Sequence, residues 1–206
     1  MTSQRFLLAL VGLLAAAILG LALFWRPPGD SGPSAGGDFV LQSAAGPIDT
    51  RSLRGNVVLV FFGYTYCPDI CPTSLYAIAQ GLQALPAAEA ARVRVLFVSV
   101  DPARDTVARL REYVGFYHPN IIGVTGTPDQ VAAVARLYGA FYTTQKVAGA
   151  AGYVVDHSAA TYILGPDGRL ATTLPRLPAP AELAAEIRRW LPSSPSSSPT
   201  NAKGTP

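Results

Sequence analysis

The chain has 206 residues, half of them hydrophobic, a formal charge of +3, and only two cysteines, two histidines and one methionine. Two cysteines are too few for a disulfide scaffold, and no run of Lys and Arg interleaved with aromatics marks a nucleic-acid surface. The one methionine is Met1, which excludes a methionine-rich metal site, so any soft-metal site must draw on Cys67, Cys71 and either His118 or His157.

Residues 6–25 carry no charge and no proline and are bracketed by Arg5 and Arg26. A helix of that length, rising about 1.5 Å per residue, spans the roughly 30 Å hydrocarbon layer of a bilayer. The apolar core of a cleaved signal peptide is only about 7–15 residues long. The run therefore reads as a single transmembrane anchor, with Phe24 and Trp25 at its interfacial end. Arg5 and the α-amino group outweigh Arg26, which Asp30 offsets; this puts the flank at 1–5 in the cytoplasm and the rest on the periplasmic side of the inner membrane.

Residues 26–37 form a Pro/Gly/Ser linker. One domain is expected over 38–191, followed by a Ser/Pro-rich disordered tail at 192–206. Within the domain, the continuous apolar and β-branched run 56–63 predicts a buried central strand. Leu75, Ile78, Leu82 and Leu85 share the face of a following helix, and 93–100 reads as a second buried strand. Val107, Leu110, Val114 and Tyr117 mark another helix, and 121–124 a short strand. Thr127, Pro128 and Gln130 supply an N-cap, a first-turn proline and a capping-box partner, and Gly139 closes that helix. A hairpin is expected over 141–155, a second over 161–173 around a turn at 165–168, and a last amphipathic helix over 181–190. The order predicts an α/β sandwich with a mixed sheet.

The stretch Tyr64-Thr65-Tyr66-Cys67-Pro68-Asp69-Ile70-Cys71-Pro72 follows a buried strand and precedes a helix, where ligands gather in open α/β sheets. Pro72 is comfortable only in a first turn, so the helix begins near Cys71, with Cys67 on the loop. The helix dipole then favours a thiolate at Cys71. Such a pair suits a reversible disulfide or a soft metal. Three residues separate the cysteines, whereas thioredoxin-type oxidoreductases use two, and this leans toward metal. His157, just before the strand at 161–164, can complete a site with two thiolates. That ligand set suits Cu(I), or Cu(II) with an added oxygen, and zinc also accepts it. His118 reads as a helix-end cap. Asp101 and Asp156 are candidate outer-sphere acids, Asp101 from the neighbouring strand end and Asp156 as an orienting partner of His157.

These segments resemble the Sco (SenC) family of copper chaperones. The resemblance rests on the cysteine turn, on Ser99-Val100-Asp101-Pro102-Ala103-Arg104-Asp105-Thr106, on Ile122-Gly123-Val124-Thr125-Gly126-Thr127 and on Val155-Asp156-His157-Ser158. It implies a thioredoxin-like fold with a hairpin inserted before the histidine loop. It implies one copper ion held by Cys67, Cys71 and His157, delivered to subunit II of cytochrome c oxidase. A thiol reductant or another copper carrier would be a further partner. On this reading the chain is a metallochaperone and not a turnover enzyme. The alternatives are a thiol–disulfide oxidoreductase that reduces the subunit's cysteines through a redox-active Cys67–Cys71 disulfide and, more remotely, a peroxidase using Cys67.

Overall fold

The computed structural model describes residues 36–147, 152–176 and 179–192, together with the helical positions Gly12 and Gly20. The chain divides into two units, Met1–Pro33 and Ser34–Pro206, and every element below belongs to the second. Apart from Gly12 and Gly20, the proposed anchor at 6–25 lies outside the described residues, as do most of the linker and the tail beyond Pro192. Among the described residues no helix is long and apolar enough to cross a membrane.

In chain order the elements are β1 (Val40–Ser43), β2 (Gly46–Asp49), a 3-10 turn (Thr50–Leu53), β3 (Val57–Gly63), α1 (Ile70–Gln83), α2 (Ala87–Ala90), β4 (Val93–Ser99), α3 (Val107–Gly115), β5 (Ile121–Val124), α4 (Pro128–Tyr138), β6 (Tyr142–Lys146), β7 (Tyr153–His157), β8 (Thr161–Leu164), β9 (Leu170–Leu174) and α5 (Pro180–Trp190). The main sheet runs β5-β4-β3-β8-β9. Its β3, β4 and β5 are parallel, while β8 and β9 run antiparallel to their neighbours, so the sheet is mixed as expected. The pairs β1–β2 and β6–β7 form separate two-stranded sheets.

All seven residues of β3 are buried, which explains its unbroken apolar run. Val57, Leu59 and Phe61 point to one face, among Leu75, Ile78 and Leu82 of α1, Leu110 of α3 and Leu183 of α5. Val58, Val60 and Phe62 point to the other, among Val131, Val134 and Tyr138 of α4 and Leu41 of β1. A strand covered on both faces has no polar side to alternate with. The result is a three-layer sandwich with the chemistry at the C-terminal edge of the parallel strands.

The cap of α4 forms as its sequence dictates: the Thr127 side chain accepts from the Gln130 amide, Gln130 bonds back to the Thr127 amide, and Gly139 turns left-handed at φ 63°. Two features depart from the expectation. The β1–β2 hairpin falls in a stretch with no strand signal, and is held by its own register and a bridge from Gln42 to Thr125. The first hairpin also runs further than 155, because Tyr142 pairs with His157. His157 is therefore the last residue of a strand, not part of the loop entering β8.

Candidate metal centre

The strands β3 and β4 end in register, Gly63 beside Ser99, and the Val100 amide donates to the Gly63 carbonyl at 2.8 Å. Two loops leave this edge side by side, one carrying Cys67 and the other Asp101 to Asp105. Asp105 is fully buried and fastens them together. Its carboxylate accepts from the Thr65 amide at 3.0 Å, the Thr65 hydroxyl at 2.6 Å and the Ser99 hydroxyl at 2.7 Å.

Helix α1 begins at Ile70, so Cys71 and Pro72 both lie in its first turn, as Pro72 requires. The preceding Asp69 makes no side-chain cap. Its place is taken by Cys67, whose sulfur accepts from the Cys71 amide at 3.4 Å. Cys71 is completely buried, packed in the core face that includes Phe61 and Phe97. A side chain on Gly63 would strike it, since a Cβ there would stand 2.6 Å from Cys71 Sγ. Cys67 is half-buried at the mouth.

His157 reaches the pair from the end of β7. Its Nε2 lies 3.3 Å from Cys71 Sγ. Its Nδ1 lies 3.0 Å from the Ser158 carbonyl oxygen, which can only accept, so that nitrogen carries the proton and Nε2 is left to face the sulfurs. Tyr64 and Phe61 stand edge-on to the imidazole, with centroids 5.9 and 6.2 Å away. The two sulfurs and the imidazole nitrogen lie within 4.8 Å of one another, the one such donor group found among the described residues. An open cavity of about 440 Å³ leads to them, lined by Tyr64, Cys67, Ile70, Val155 and His157.

The electrostatics divide the two thiols. Cys67 is pushed down to about 3, first by the hydrogen bond from the Cys71 side chain, then by His157 and the amides of Asp69 and Cys71, against the opposing effect of burial. Cys71 is pushed up, because it supplies that hydrogen bond and because it is buried beside a thiolate. The helix N-terminus was expected to favour a thiolate at Cys71. The first-turn side chain is instead buried in the core, and the amide it leaves exposed serves the sulfur in front of it, on Cys67. Burial alone would lower the His157 pKa, but the bonds to Cys67 and the Ser158 carbonyl and the nearby thiolate outweigh it and raise the imidazole above its ordinary value.

The two acids are not among the donors. Asp101 accepts from Arg104 and, at 2.8 Å, from the Tyr153 hydroxyl. Asp156 is exposed, bonds Gln145 on the paired strand, and lines the same cavity as His157, whose pKa its charge helps to raise, but it makes no hydrogen bond to the imidazole. The orienting partner of His157 is thus the Ser158 carbonyl. His118 lies outside the site. Its Nδ1 accepts from the Asn120 amide at 3.1 Å, and burial lowers its pKa, so it serves a local turn and not a helix end. Sequence reasoning did not single out Asp105, Tyr64 or Arg104. All three sit in the segments quoted above, but their partners are distant in the chain.

The SCO1/SenC family pattern matches residues 28–192. The chain belongs to the SCO1/SenC family. Over 157 residues it is 39% identical to the bovine mitochondrial SCO2 homolog, covering 75% of this chain and 59% of that protein. The chain thus spans somewhat over half the length of that SCO1/SenC relative. The copper-bound structure of ScoI from Bradyrhizobium japonicum superimposes with a TM-score of 0.70 at 37% identity, covering 76% of this chain and 99% of that one. Copper-bound yeast Sco1 gives 0.69 at 32% identity, covering 80% and 92%. The thioredoxin-type fold expected from the sequence is therefore that of SCO1/SenC proteins solved with copper.

Proposed function

We propose that this chain is a copper carrier for cytochrome c oxidase assembly, in which Cys67, Cys71 and His157 hold one copper ion as cargo. The observation that carries the reading is the convergence of two sulfurs and an imidazole nitrogen within 4.8 Å, at the mouth of a cavity. Two thiolates and an imidazole are a soft donor set that suits Cu(I), and Cu(II) with a further oxygen from water. Membership of the SCO1/SenC family and the copper-bound relatives favour copper over zinc. The client is subunit II of the oxidase. The charge-free run at 6–25 anchors the chain in the inner membrane with the domain at 38–191 on the periplasmic side.

The chain's own groups suit release as well as capture. Cys67 offers an ionised sulfur at the open mouth, while Cys71 sits behind it in the core. A client thiolate approaching through the cavity meets Cys67 and His157 first, so ligands can exchange one at a time. Oxidation of the two cysteines to a disulfide removes both sulfur donors, which makes loading depend on a reductant.

The test is a copper titration of the reduced full chain in detergent against a competing chelator. One tight equivalent is expected. His157→Ala should bind copper far more weakly while Cys67 and Cys71 still form a disulfide on mild oxidation. Copper binding by His157→Ala equal to that of the wild type would sink this site.

The same pair supports a second reading, a thiol–disulfide oxidoreductase acting on the subunit's cysteines. The half-buried Cys67 with a strongly depressed pKa has the form of an attacking thiolate. Catalytic disulfide reduction by the wild type, together with poor copper uptake, would favour it.

A further inference from the structure

We propose that Arg104 is the positioning residue that fastens the His157 hairpin to the cysteine loop, so that the imidazole is already aimed at both sulfurs before copper arrives. This rests on the reading that Cys67, Cys71 and His157 hold copper.

The hairpin needs such a fastening. Strands β6 and β7 pair only with each other and belong to no larger sheet. An isolated two-stranded hairpin is marginal in water. Most of β6 is exposed, and of β7 only Val155 is fully buried. The position of His157 relative to the sulfurs is therefore set by the contacts that tie β7 to the sandwich.

Val155 packs in the core face with Phe62 and Tyr138, and the polar contacts at the start of β7 converge on one guanidinium. Arg104 Nη1 donates to the Tyr153 carbonyl at 3.1 Å, and its carbon lies 3.6 Å over the Tyr153 ring. Its Nε donates to Asp101, whose other oxygen accepts from the Tyr153 hydroxyl at 2.8 Å. Backbone, ring and hydroxyl of the first residue of β7 are thus all engaged by one ion pair. The same guanidinium lies 4.7 Å over the ring of Tyr66, the neighbour of Cys67, and 5.7 Å over Tyr64. Tyr64 in turn accepts from the Val155 amide at 3.2 Å and stands edge-on to His157. Arg104 therefore touches the loop after β4, the cysteine loop and the strand that ends in His157.

The residue type matters. A planar guanidinium can stack on two rings while its edge donates to a carboxylate and a carbonyl; an ammonium cannot. The side chains of Asp101 and Arg104 are only 3% and 16% exposed, so little water competes with the pair. Two residues beyond His157, no proline or disulfide fixes the hairpin's base; its other tie there is the Ser158–Phe141 contact within the hairpin itself.

Arg104→Lys keeps the charge beside Asp101 and removes the stacking and the forked donation. Amide hydrogen exchange of the reduced, metal-free full chain in detergent is compared with wild type by NMR. Exchange at Val155 and His157 should quicken about tenfold or more, with the amides of β3 and β4 unchanged. In the copper competition assay, Arg104→Lys should lose roughly tenfold in affinity, the scale of an outer-sphere positioning contact. In a His157→Ala background the same change should cost nothing. Unchanged hairpin exchange overturns the proposal, as does an affinity loss of equal size with and without His157. If Arg104→Lys loosens β3 and β4 as well, Tyr153→Phe, which removes only the hydroxyl on Asp101, carries the same two readouts and is judged by the same outcomes. Failure of the copper reading looks different: the wild type itself takes up no tight equivalent, while the metal-free exchange experiment still reports on the clamp.

Discussion

The backbone amide of Cys71 points at the sulfur of Cys67, 3.4 Å away. A helix start that lacks a side-chain cap thereby spends an unpaired N–H on a loop sulfur three positions outside its first residue, and favours the ionised form of that sulfur. Cys71 contributes its thiol proton to the same sulfur, and is itself left harder to ionise.

Selective alkylation follows. Cys67 is held at about 3, so it is a thiolate throughout the range from pH 5 to 8. Iodoacetamide should label the reduced, metal-free protein once, at Cys67, at a rate that is flat across that range. An ordinary thiol, with a pKa near 8.5, would react about tenfold faster for each unit of pH. Peptide mass spectrometry locates the label; a rate that climbs with pH, or labelling of Cys71, contradicts the arrangement.

The same depression sets a trend in stability. Between about pH 3, where folded Cys67 ionises, and roughly pH 8.5, where an unfolded thiol does, the unfolded chain binds the extra proton. Stability contributed by Cys67 therefore rises with pH across that window and is lost as pH falls through 3. Cys71 works oppositely: its raised pKa means that stability is lost once pH rises past the ordinary thiol value. Urea unfolding of the reduced, metal-free protein should show both limbs in the wild type; because each sulfur sets the other's shift, Cys67→Ala and Cys71→Ala should each flatten the pH profile on both sides.

Copper binding should release protons in a number that depends on pH. Cys67 has none to give at neutral pH and Cys71 has one. His157 titrates above its ordinary value of 6.5, so it adds a second proton as pH falls. Calorimetry in buffers of different ionisation enthalpy should give about two protons at pH 6, falling toward one as pH rises and the imidazole loses its proton, with affinity falling toward the acid end. A His157→Ala variant should release about one throughout. Release of two protons by that variant at pH 6 would show that Cys67 is not preionised.

Much of this arrangement was legible in the sequence because its causes are local. The unbroken run in β3 reports burial on both faces, and Thr127, Pro128, Gln130 and Gly139 spell out the ends of α4 within a dozen residues. Pro72 alone fixes the start of α1 near Cys71. What was not legible depends on distant contacts. Nothing next to Asp105 in the chain says that it will hold Thr65, and nothing near Arg104 announces Tyr153, 49 residues away. The strands at Val40–Ser43 and Gly46–Asp49 are too short and too mixed in polarity to show a period, and owe their form to each other and to Thr125. The thiolate was assigned to Cys71 because a sequence locates the helix end but not the sulfur that lies in front of it.

The close approach at Gly63 is a steric requirement that can be tested. A Cβ there would lie 2.6 Å from both Cys71 Sγ and Phe97, both completely buried, so one of them must shift. Gly63→Ala should cost about 1–3 kcal/mol, as overpacking does, and should displace Cys71 toward the cavity. Denaturant unfolding gives the first quantity. The second would appear as weaker copper binding and as alkylation of Cys71, which the wild type resists. A stability unchanged within error would mean that the sulfur moves aside freely.

Asp105 tests whether the cysteine loop is held by a charge or merely by a shape. It accepts three hydrogen bonds, from the amide and hydroxyl of Thr65 and the hydroxyl of Ser99, and has no exposure to water. Asp105→Asn keeps the shape but turns one acceptor into an NH₂ donor, and the Thr65 amide, which can only donate, lies against the oxygen that also takes the Ser99 hydroxyl. The hydroxyls can rotate to accept; the amide cannot. Asparagine must then either leave the Ser99 and Thr65 contacts poorly met or aim its NH₂ at Thr65 Oγ1, which Arg109 already donates to at 2.8 Å. Asp105→Asn should therefore cost about 2 kcal/mol and Asp105→Ala about 3, the scale of lost bonds to a charged group and of buried donors left unpaired. Both should loosen the loop that carries Cys67, so its alkylation rate should regain a dependence on pH. An Asp105→Asn protein as stable as wild type, with a flat alkylation profile, would assign the loop's geometry to packing alone.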